Sequence, residues 1–189
     1  MTREAAWNLD GYLPEDLPAL DSILRTHGDA LGRDFEAYRN HAHRVAHLCI
    51  AQSSRDADRV ERIEIAAAFH DLGIWTAGTF DYLQPSVMLA ASHLAVSGRS
   101  AWIPEVTAMI LEHHKVFRYR GEAAWLVEPF RRADWIDVSL GAVGFGMPRR
   151  FLDQLVARWP RAGFHARLAQ LEARQLITRP WNPLPMLRL

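Results

Sequence analysis

A chain of 189 residues that is 49% hydrophobic and 23% charged is long enough for one substantial core and short for two, so a single domain over the whole length is expected. Its 22 basic residues equal its 22 acidic ones, which excludes a global pull toward nucleic acid polymers or an anionic membrane surface. Cys49 is the only cysteine, the N-terminal stretch lacks a basic start followed by an apolar run, and no segment approaches the ~20 apolar residues of a membrane span, so a soluble cytoplasmic protein without disulfides is expected.

Apolar residues recur mainly at three- and four-residue spacing, and β-branched alternation between turn pairs is hard to find. The pattern predicts an all-α fold, a bundle of about seven to eight helices. After an irregular start, a short helix fits Glu15 to Thr26, and a longer one runs from about Gly32 to Ser53 with Tyr38, His41, Ala42, Val45, Leu48 and Cys49 on one stripe. A third, from about Asp56 to Leu72, carries Val60, Ile63, Ala67 and His70 on one face, and Gly73 stands where a C-terminal cap belongs.

The segment WTAGTFDYLQP reads as an aromatic loop, and Pro85 suits the first turn of a helix reaching Ser97. Ser100 is placed to cap a helix from about Ala101 to Lys115, which ends at His113-His114. The next spans about Glu122 to Leu140, with Leu126, Phe130, Ala133, Asp134 and Asp137 on one side. The glycine-rich GAVGFGMP is a loop, followed by helices over about Arg149 to Arg158 and Gly163 to Leu176 and by a proline-rich, extended tail.

Four residues are able to ligate a metal and sit on otherwise apolar helical faces: His41, the adjacent His70-Asp71, and Asp134. A carboxylate on a buried face is costly unless paired or metal-bound, so two of them beside histidines predict a cation site. The donor set suits zinc, manganese, iron, cobalt or nickel. Neighbouring helical side chains point about 100° apart, so His70 and Asp71 reach one ion most easily where their helix ends.

These residues resemble the HD-domain superfamily of metal-dependent hydrolases. NHAHRVAHLC is similar to the family's first histidine helix through His41, Arg44 and Val45; AAAFHDLG to its His-Asp doublet; and RRADWIDVS to its closing Ala-Asp segment, the three covering about residues 36 to 140. The resemblance implies His41, His70, Asp71 and Asp134 as metal ligands, a metal-activated water, and small phosphorylated or nucleotide substrates. Dinuclear branches add a histidine where this chain has Ser86, and another near His113 or His114. A single metal is therefore expected, with His93 and His113 as candidates for a second. HHKVFRYRG also departs from the motif of the branch that cleaves cyclic dinucleotides.

Around that core, Arg44, Lys115, Arg118 and Arg120 are candidates to hold an anionic substrate. His113 and His114 can orient substrate or shuttle a proton, and Asp137 can hold a ligand histidine or act as a base. Trp75, Phe80, Tyr82, Phe145 and Met147 are candidates to line the pocket. The rival readings are a mononuclear hydratase of small nitrogen compounds of the cyanamide type, a two-iron oxygenase, and a non-catalytic metal-stabilised binding module. The partner expected is a small-molecule substrate, with a homodimer as an option and neither nucleic acid nor membrane.

Overall fold

The computed structural model describes Leu9, Tyr12, residues 15–182 and residues 184–187; most of the irregular start expected before Glu15 lies outside them. The fold is all-α, with eight helices of nine or more residues and no strand among the described residues. No helix among them is long and apolar enough to cross a membrane.

Helix α1 (Pro18–Thr26) begins at a proline, whose missing N–H costs nothing in the first turn. Its next two amides, Ala19 and Leu20, donate to Glu64 Oε2 at 2.9 and 3.1 Å, so a carboxylate from another helix replaces the local cap and sits at the positive end of the dipole. The short α2 (Gly28–Leu31) and a 3₁₀ turn (Gly32–Asp34) lead into α3 (Phe35–Ile50). This helix is buried on every side, and five of its buried residues, Asn40, His41, His43, Arg44 and His47, are polar. Such a helix must send its polar side chains to partners in several directions.

Helix α4 (Ala57–Phe69) is capped by Asp56, which accepts the Arg59 amide at 2.9 Å. The short α5 (Gly73–Thr76) turns the chain into α6 (Leu83–Val96), which packs on α7 (Ile103–Glu112). Helix α8 (Ala124–Val138) lies along α3, and α9 (Arg149–Arg158) and α10 (Phe164–Thr178) close the bundle.

Three local expectations are corrected. Gly73 does not cap α4: it opens α5, its amide donates to Ser86 Oγ at 2.9 Å, and an added Cβ would stand 2.5 Å from the Tyr82 carbonyl oxygen. The glycine answers a close approach of two segments. Ser100 makes no capping bond and begins a 3₁₀ turn (Ser100–Trp102) instead. The tail is not extended, because Gln175 Nε2 donates to the Asn182 carbonyl at 3.0 Å and Met186 sinks into an apolar cluster with Ile74, Phe80, Tyr82 and Leu83. Burial of that side chain outweighs the extended preference of the prolines.

Candidate metal centre

Four helical segments far apart in sequence converge on one buried cluster. Helix α3 supplies His41, the end of α4 supplies His70 and Asp71, the end of α7 supplies His113 and His114, and α8 supplies Asp134. Leaving the helix at positions 70–71 and 113–114 lets each consecutive pair turn toward a common point.

Hydrogen bonds at the far ring nitrogens fix which atoms point inward. His70 Nδ1–H donates to the Ala67 carbonyl at 2.8 Å and His113 Nδ1–H to the Ile110 carbonyl at 2.7 Å. His41 Nδ1–H donates to Asp137 Oδ2 at 2.7 Å. Those acceptors require a proton on Nδ1, so Nε2 is the atom each ring can offer to a metal. His41 Nε2 and His70 Nε2 face each other at 3.0 Å.

Carboxylate oxygens surround these nitrogens without bonding to them. Asp71 Oδ2 lies 3.7 Å from His41 Nε2 and 3.4 Å from His70 Nε2, and Asp134 Oδ1 lies 3.6 and 3.8 Å from the same atoms. His113 Nε2 is 3.3 Å from Asp71 Oδ1, and His114 Nδ1 is 3.4 Å from Asp134 Oδ2. Asp71 Oδ1, both Asp134 oxygens and His113 Nε2 are buried with no hydrogen-bond partner. Orphaned acceptors of this kind each cost of the order of 1–3 kcal/mol, and a cation bound among them would offset that cost at the atoms it contacts. Burial pushes the Asp134 carboxyl up to about 7.

Two triads, His41-His70-Asp71 and Asp71-His113-His114, each have ligand atoms within 4.8 Å of one another, and Asp134 stands beside them in neither. Asp71 belongs to both. The second triad needs neither residue 86 nor His93, which corrects the expectation that His93 would complete a second site. Ser86 is engaged by Gly73, and the His93 ring packs against Phe69 with centroids 5.5 Å apart.

A supporting ring of residues holds the cluster. Arg44 Nε and Nη2 donate to the two oxygens of Asp137 at 2.6 and 2.8 Å, and its Nη1 donates to the Trp159 carbonyl at 2.9 Å. Burial would raise Asp137, but the bonds from His41 and Arg44 outweigh it and hold the carboxyl far below its usual range. Arg44 is completely buried, so the expectation of a substrate clamp is corrected to one of positioning. Phe164 stacks on the His41 ring at 4.0 Å, and the Tyr82 hydroxyl shares a 2.6 Å hydrogen bond with His114 Nε2. Neither contact was expected from the sequence, since both bring together segments separated by long stretches of chain.

The remaining expectations divide. Phe80 and Tyr82 line a chamber of about 210 Å³ that opens on Asp71 and His114. Trp75 lies outside it, donating its indole N–H to Asp34 at 3.0 Å and packing on Tyr38. Phe145 sits beneath the Arg131 and Arg132 guanidinium groups and Met147 in the main core, so neither lines the chamber. Lys115 Nζ stands 3.7 Å from Glu112, and Arg118 faces a different surface hollow with Glu128 and Arg132. Neither lines the chamber, and Arg120 is exposed. Comparison with known proteins finds no match to a family model, to a curated protein or to a solved structure.

Proposed function

We propose that the chain is a metal-dependent hydrolase of the HD-domain type, with His41, His70, Asp71 and Asp134 holding a divalent ion. One observation carries the reading: imidazole Nε2 atoms and partnerless carboxylate oxygens from separate helices face each other in a buried cluster. When bound there, the ion would supply Lewis acidity and lower the pKa of water.

The chain's own residues have separable tasks. Asp137 fixes the His41 tautomer and is itself held by Arg44. Tyr82 orients His114, the imidazole at the inner end of the chamber, where Nδ1 is placed to hold or pass a proton. Phe164, stacked on His41, keeps water from that side of the cluster. The open chamber favours catalysis over a closed structural site and so over a non-catalytic module.

The shared Asp71 supports a second reading, in which two ions bind and the chemistry extends to that of a two-iron oxygenase. Metal analysis of the purified protein separates the readings: one equivalent favours the single-ion hydrolase, two irons with oxygen consumption the oxygenase. A screen of phosphomonoesters, phosphodiesters and small nitriles and amides is expected to find water-dependent turnover that is lost, about a thousandfold or more, in both His70→Ala and Asp134→Ala. Full activity in either variant would refute the proposal.

A further inference from the structure

The chamber's walls carry a second conclusion, about substrate class, that rests on the hydrolase reading. The cavity is small, about 210 Å³, below the roughly 300–1,000 Å³ usual for sites that enclose a drug-sized ligand. Its sides are apolar, formed by Ile74, Phe80, Val138, Leu168 and Met186. Four of these five, all but Val138, belong to or pack on the cluster that draws the C-terminal segment across the opening.

Charge is placed against an anion. Among the described residues no lysine or arginine lines the chamber, and Glu172 stands at it as an exposed carboxylate. The two buried aspartates at the inner end would already offset a divalent ion, leaving no surplus positive charge for a phosphate. Arginines are present nearby but face elsewhere. Arg167, Arg174 and Arg179 line a separate groove of about 460 Å³ that shares Ile74 and Phe80 with the chamber, so these two side chains stand between the cations and the cluster. Arg44 is spent on Asp137 in the interior.

We infer that the site selects a small, uncharged substrate with an apolar body and rejects phosphate esters, with Met186 and Leu168 setting the size limit and Glu172 repelling anions. A polar, electrophilic head would reach Asp71 and His114 while the body contacts Phe80, Leu168 and Met186. The C-terminal segment is therefore part of the specificity wall.

The test uses full-length, metal-loaded protein and two probes alike in their ring but different in charge, benzamide and phenyl phosphate, with binding measured by calorimetry and metal content measured on the same samples. Benzamide is expected to bind at least about tenfold more tightly than phenyl phosphate, since charge transfer into an apolar pocket without a partner costs more than 1.4 kcal/mol. Glu172→Gln is expected to narrow that gap by up to about fivefold, the scale of an exposed charge pair. Met186→Trp, or Leu184→Trp at the half-buried neighbouring position should the first variant fold poorly, is expected to weaken benzamide about tenfold or more by filling the cavity, with metal content unchanged. Equal or tighter binding of phenyl phosphate overturns the inference, as does a failure of benzamide to bind. Metal-free protein would instead sink the hydrolase reading, so the two failures are told apart.

Discussion

At Asp134 both carboxylate oxygens are buried and no donor reaches either one. A side chain retained in that state works against the fold and toward a ligand, because its desolvation is unrecovered until a cation arrives. Asp134→Ala is therefore expected to leave the metal-free protein as stable as the parent or more so, a melting temperature unchanged or raised by about 2–4 °C, while abolishing the stabilisation that added metal confers. Differential scanning fluorimetry with and without metal reads both, and a metal-free variant that melts well below its parent would refute the account. Asp137 presents the opposite case, since its oxygens accept from His41 and from two nitrogens of Arg44. Asp137→Asn breaks a buried ion pair and leaves the Arg44 charge uncompensated, at an expected cost of about 3–5 kcal/mol. The same change frees the His41 ring and is expected to weaken metal binding about 10–100-fold, measured by competition with a chelator. Two aspartates one helical turn apart thus give opposite signs of stability change for a comparable loss of charge.

Among the elements, the turn from α4 through α5 to α6 depends on one atom's worth of space. A Cβ at Gly73 would meet the Tyr82 carbonyl at 2.5 Å and Ser86 Oγ at 2.9 Å, and a backbone oxygen held in a helix start cannot step aside. Gly73→Ala is expected to destabilise by about 1–3 kcal/mol and to shift Tyr82, hence His114, with a denaturant titration and loss of metal-dependent turnover as the readouts. How much of this was legible in the sequence differs from element to element. The helices were, because three- and four-residue spacing reports burial directly, and α9 was placed to the residue. The meeting of His41, His70, Asp71 and Asp134 in one cluster was legible too, since these are polar groups on apolar stripes. Gly73 was misread because a glycine after a helix fits a cap and a close approach equally, and only the position of Tyr82 decides between them. His93 was placed by its spacing from Ser86 in α6, but that helix face turns to Phe69 rather than to the cluster. The roles of Met186, Glu172 and Phe164 had no local signature at all, since each depends on the C-terminal segments folding back across the chain.

Across the whole molecule, α3 links two polar interiors through its opposite faces. One face directs His41 and Arg44 to the His/Asp cluster; the other directs His43 and His47 to Trp159, against whose ring they stack at 4.8 and 4.5 Å while its carbonyl accepts from Arg44. His47 also bonds the Glu15 carbonyl at 2.9 Å and contacts the Tyr12 hydroxyl, so the N-terminal segment is fastened to the same helix. Burial lowers both histidines, His47 to about 3, whereas His43 is partly supported by Asp21. A histidine in the unfolded chain titrates near 6.5, above the folded value, so as pH falls the unfolded state takes up protons first. The stability that neutral His47 permits is complete above about pH 6.5 and is lost progressively toward pH 3. The loss from this one group between pH 7 and pH 5 is expected to be about 2 kcal/mol. Carboxylates with lowered values contribute their own loss only below about pH 4, while Asp134, raised to about 7, takes up its proton within this window and opposes the loss from the imidazoles. Comparing the parent with His47→Gln cancels the other titrating groups: the variant is expected to start less stable at pH 7 and to decline by about 2 kcal/mol less on going to pH 5. Urea denaturation at the two pH values measures the difference, and parallel declines in parent and variant would show that His47 is not what makes this interior sensitive to acid.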